Sequence, residues 1–72
     1  MTDTKRLNAL IDESGLKRSY IAKEMGLSVK GLWMKISNRT DFKSGEIKKL
    51  AALLGMTNEV RDAIFFAGEV DF

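Results

Sequence analysis

The chain has 72 residues, with 12 basic and 10 acidic side chains and no His, Cys or Pro. That inventory removes the thiolate nucleophile, the imidazole base, the Ser-His-Asp triad and the usual nitrogen/sulfur zinc site, so catalysis, cofactors and metals are not expected. The length suits one domain with one core, which here must come from helix packing because no disulfide or zinc site can brace it. Net charge is only +2, but it is unevenly placed. Residues 17–43 carry seven bases (Lys17, Arg18, Lys23, Lys30, Lys35, Arg39, Lys43) against Glu24 and Asp41, a local balance of +5 that leaves the remainder at −3. A basic middle segment of this kind points to an anionic partner, with nucleic acid first, although lysines also serve simply to solvate helix faces.

Five short helices are expected in chain order. The first spans about Asp3 to Ser14, with Leu7, Leu10 and Ile11 at i, i+3 and i+4 on one face and Gly15 as its stop. The second runs from about Arg18 to Met25, presents Ile21, Ala22 and Met25 to the core, and ends at Gly26. Ser28 is placed to cap a third helix, about Val29 to Ser37, whose inward stripe is Leu32 and Ile36. A polar loop, Ser-Asn-Arg-Thr-Asp, follows. Ser44 is expected to cap the fourth helix, where Ile47, Leu50, Ala51 and Leu54 complete an amphipathic stripe before Gly55. Thr57 is expected to cap a fifth, with Val60, Ala63, Ile64 and Phe66 on its buried face and Gly68 at its end. The fold class is therefore all-α, a compact five-helix bundle in a single domain over 1–72, with an ordered core over about 4–67 and a short tail from Glu69 to Phe72. No apolar run approaches the roughly 18 residues that span a bilayer, and no signal-peptide core follows the polar start, so a soluble, cytoplasmic protein without a membrane partner is expected.

Two short helices joined by a tight glycine corner form the layout of a helix-turn-helix, here helices 2 and 3 from Arg18 to Ile36. Ala22 is small where the two helices must approach, and Gly26 accepts the positive φ that a corner needs. Leu27 and Leu32 anchor the third helix. On these residues, together with Asn38-Arg-Thr-Asp-Phe, Glu46-Ile-Lys-Lys-Leu-Ala-Ala-Leu-Leu-Gly and Ile64-Phe-Phe-Ala-Gly-Glu-Val-Asp, the chain resembles the lambda-repressor-like helix-turn-helix family. Within it, the chain looks like the small Cro-like regulators of temperate phages, and its closing segment like the modulator-of-repression type from phages of lactic-acid bacteria.

The resemblance implies a DNA-binding transcriptional regulator of a lysis/lysogeny switch. Its partners would be double-stranded operator DNA and the main phage repressor protein, with a homodimer as an open alternative and no small-molecule substrate. It further implies that Ser28, Val29, Lys30, Trp33 and Met34 face bases in the major groove, and that Arg18, Ser19, Asn38, Arg39 and Lys43 meet phosphates. Val29, Trp33 and Met34 are unusual choices for reading base-edge donors and acceptors. If Leu32 and Ile36 point inward, Trp33 and Met34 are rotated about 100° and 200° from Leu32, so at least one of them faces outward. Exposed Trp and Met suit a protein interface, so the alternative function is an antirepressor whose Val29, Trp33 and Met34 dock on the repressor's DNA-binding domain. Lys35 stands where related proteins bury an apolar residue, and Ile36 is expected to take over that duty. Tyr20 is read either as a phosphate contact or as half-buried packing, and only one of Phe65 and Phe66 can face inward.

Overall fold

The computed structural model describes residues 1–66, and among them every regular element is a helix. The helices are α1 (Thr4–Ser14), α2 (Arg18–Glu24), α3 (Val29–Ile36), α4 (Ser44–Leu54) and α5 (Asn58–Phe65). The expected end of α5 at Gly68 and the tail from Glu69 to Phe72 lie outside the described residues. Three of the starts are set by side-chain oxygens that accept a free N–H of the first turn: Asp3 from Arg6, Ser28 from Gly31 and Thr57 from Val60. Asp3 is thus the cap of α1 rather than its first residue.

The expectation for α4 is corrected. Ser44 is its first helical residue and the N-cap is Lys43, which has no side-chain acceptor. The end is satisfied from within the helix, since the Glu46 carboxylate reaches back to accept the Lys43 N–H at 2.8 Å.

Six large side chains are wholly buried: Leu7, Ile11, Ile21, Leu32, Leu50 and Ile64. Each helix supplies at least one of them, so the core is a joint product of all five. Burying each such side chain stabilises the fold by about 1.5–3 kcal/mol before entropy is counted. α1 is the central strut, packing on α3, α4 and α5, while α2 packs on α3. At the α2–α3 corner Gly26 has φ +70°, a conformation that costs an L side chain roughly 1–2 kcal/mol, and a Cβ there would meet open space. Backbone strain alone reserves that position for glycine.

The buried face of α5 is also corrected. Phe65 is buried and Phe66 is exposed, because Ile64 and Phe65 form the inward pair while Val60 and Ala63 lie at its margin. What draws Phe65 inward is Phe42, whose ring meets it edge-on at 5.2 Å and 79°. Phe42 directly follows the polar loop Ser-Asn-Arg-Thr-Asp and packs against the core.

Candidate nucleic-acid interface

The α2–α3 unit has one side in the core and one side in solvent. Ile21, Ala22, Met25, Leu32 and Ile36 fill the inner side. On the outer side Tyr20, Val29 and Trp33 are 44%, 52% and 53% exposed. Lys17, Arg18, Ser19 and Lys30 are exposed beside them. Val29 and Trp33 border the Leu32–Ile36 stripe and share a groove with it, whereas Lys30 lies on the side of α3 turned away from that stripe. Met34 leaves this group. It is half-buried, on the flank where the chain turns back and where Arg39 and Thr40 donate their N–H groups to its carbonyl at 2.8 and 3.2 Å.

Three residues, Lys35, Ile36 and Asn38, fasten the far end of α3. Lys35 extends its ammonium to Glu46 Oε1 of α4 at 3.0 Å and to the Asp41 carbonyl at 2.8 Å. The two side chains of that ion pair are only 12% and 17% exposed. Burial pushes the Glu46 carboxyl upward, but the hydrogen bond from the Lys43 N–H and the Lys35 ammonium outweigh it and hold its pKa below the ordinary carboxylate value. Ile36 is buried, as expected, and its carbonyl accepts from the Thr4 hydroxyl.

Asn38 supplies the remaining tie. Its φ is +66°, a left-handed conformation that Asn tolerates better than most residues. In that conformation its amide matches the backbone of Thr2: Oδ1 accepts the Thr2 N–H and Nδ2 donates to the Thr2 carbonyl, both at 2.8 Å. The adjacent Asp3 N–H donates to the Ile64 carbonyl at 2.7 Å. The N-terminal segment therefore straps the end of α3 to the end of α5. Both ends of the Asn38 amide are engaged inside the fold, a duty that residue type alone did not reveal.

The remaining candidates fall into two groups. Arg18 is exposed but braced, its guanidinium held by Asp12 of α1 at 3.2 Å and by Asn8 at 3.1 Å. The Ser28 hydroxyl oxygen is occupied as the α3 cap, accepting from Gly31 at 2.9 Å. Arg39 lies over the Trp33 ring, 5.1 Å from its centroid, a cation–π distance. Lys30 and Lys43 are exposed cations, one on the outer face of α3 and one at the start of α4. The structure thus gathers Arg18, Val29, Lys30, Trp33 and Arg39 around the outer side of α2–α3 and assigns Asn38 and the flank of Met34 to holding the fold together.

Among the described residues no cluster of His, Cys, Asp or Glu suited to a metal occurs, and no helix is long and apolar enough to cross a membrane. The carboxylates of Asp12 and Asp62 are engaged with Arg18 and Arg61. Comparisons with known proteins found no family model, no curated protein and no solved structure that matches this chain.

Proposed function

We propose that this chain is a DNA-binding regulator that applies the outer side of α2–α3 to double-stranded operator DNA, α3 entering the major groove. The observation that carries this reading is a coincidence of charge and exposure. The +5 segment is the same stretch that forms α2, α3 and their flanks, and six of its seven bases are exposed around a unit whose other side is core, Lys35 alone being turned to Glu46. Arg18, Arg39 and Lys43 suit phosphates, and Lys30 suits a phosphate or a guanine edge. The resemblance to lambda-repressor-like regulators supports the same reading and extends it to a Cro-like role in a phage lysis/lysogeny switch within the bacterial cytoplasm.

A second reading is favoured by one observation, the exposed Tyr20, Val29 and Trp33 on that face. In it the protein is an antirepressor that docks on the DNA-binding domain of the phage repressor. Gel shifts on phage promoter DNA with this protein, with the repressor, and with both separate the two. A specific shift by this protein alone that survives moderate salt supports the operator reading. No shift alone, with altered repressor binding in the mixture, supports the antirepressor.

A further inference from the structure

Trp33 offers an indole to solvent beside the exposed Val29, and Arg39 lies across it at 5.1 Å. Arg39 reaches that place by backbone geometry. The left-handed turn at Asn38 reverses the chain, and the Arg39 N–H then closes on the Met34 carbonyl at 2.8 Å, one residue beyond Trp33. Among the described residues Arg18 and Arg61 pair with Asp12 and Asp62, whereas Arg39 makes no ion pair with a carboxylate. Its guanidinium is therefore held by a ring face, which leaves its N–H donors unclaimed by any acid. The same indole joins Arg18, Val29, Leu32 and Ile36 in lining a groove of about 140 Å³ between α1 and α3, so two arginines border one tryptophan.

We propose that Trp33 is a positioning residue whose indole holds the Arg39 guanidinium against α3, making the pair one phosphate-binding element for duplex DNA. This rests on the DNA-binding reading above. A free arginine loses rotamer entropy when it meets a phosphate, whereas one already stacked has lost much of it in advance. The bidentate edge of a guanidinium remains open when its plane lies on a ring, and that edge is what a phosphate takes. Trp33 on this account contributes through Arg39 and not by reading a base edge, which fits an indole that has one donor and no acceptor.

The test is a double-mutant cycle on duplex binding. Anisotropy of a labelled duplex of about 20 base pairs, two helical turns, is measured from ~50 to ~200 mM salt. The proteins are the wild type, Arg39→Ala, Trp33→Leu, Trp33→Phe and the Leu/Ala double variant. Arg39→Ala and Trp33→Leu should each lower the salt slope by about 0.9 and weaken binding about three- to tenfold at ~0.1 M salt. The double variant should be no worse than either single one, and Trp33→Phe, which keeps a ring face, should retain the wild-type slope.

The chain has one tryptophan, so its emission reports the stack directly, and Arg39→Ala should shift that emission in the free protein. Effects that multiply in the double variant, a Trp33→Leu slope equal to wild type, or emission indifferent to Arg39 would each overturn the platform while leaving DNA binding intact. A wild-type protein that binds no duplex at the lowest salt would instead overturn the DNA reading itself, and repressor capture lost in Trp33→Leu would then assign the face to a protein partner.

Discussion

The two ends of α3 are built on opposite terms. At its C-terminal end Lys35 is tied to Glu46 and Asp41, Ile36 is buried with its carbonyl bonded to Thr4, and Asn38 is tied to Thr2. Along its N-terminal half Val29 and Lys30 contact solvent, and the one side-chain bond is the Ser28 cap made within the helix itself. A helix of two turns has little stability of its own. Fastening one end by tertiary contacts lets the other carry side chains chosen for a partner, and this division separates residues that hold the fold from residues available to bind.

The comparison breaks most visibly if the buried side of α3 is cut away. Leu32→Ala should cost about 2–5 kcal/mol, read by urea or thermal unfolding, because Leu32 is fully buried on a helix that packs on both α1 and α2.

Next comes the ion pair. Lys35→Ala should cost about 2 kcal/mol, since it leaves the largely buried Glu46 carboxylate without its charged partner. The same pair sets an acid limit. The Glu46 pKa is lower in the folded chain than in the unfolded one, so its contribution is complete above the ordinary carboxylate pKa and fades as pH falls through the folded value. Glu46→Gln should flatten the acid limb of a stability–pH curve and leave the neutral-to-basic part parallel to wild type.

Asn38 separates strain from bonding. Asn38→Ala loses the Thr2 bonds and keeps the positive φ, for about 2 kcal/mol, while Asn38→Gly loses the bonds but relieves the φ and should cost about 1 kcal/mol less. Equal unfolding midpoints for the two would show that the backbone at Asn38 is unstrained.

The smallest effects sharpen the other half of the comparison. Tyr20→Ala, Val29→Ala and Lys30→Ala should each change stability by no more than about 0.5 kcal/mol, as expected for exposed positions. Lys30→Ala should still lower the salt slope of duplex binding by about 0.9. A large loss of stability on this face would mean that it belongs to the fold and not to a partner.

Much of this was legible beforehand where the signal was local. Leu7, Ile11, Leu32, Ile36 and Leu50 declared the inward faces by spacing, and Ser28 and Thr57 declared two starts by type. Rotation from the Leu32–Ile36 stripe required only that at least one of Trp33 and Met34 face outward; the loop that folds back on the Met34 carbonyl half-buries Met34 and leaves Trp33 exposed. Spacing failed where a partner from elsewhere decided the outcome. Phe65 displaced Phe66 because Phe42 waits on that side, and Lys43 took the cap from Ser44 because Glu46 reaches back to its N–H. Neither Lys35 nor Asn38 carries a periodic signal, since the one meets α4 and the other a segment 36 residues away.

By itself, then, the sequence determined an all-helical chain of five elements, with their apolar stripes and the segregation of positive charge onto the second and third and their flanks. These are properties of neighbours within a turn or two, where the 3.6-residue repeat and the free N–H groups of helix ends act directly. Only the tertiary structure decided that Lys35 is a partnered lysine, that Asn38 is a strap, and that Arg39 rests on Trp33. Those assignments depend on which long side chains meet once the helices have packed, and the order of residues along a helix holds no record of that meeting.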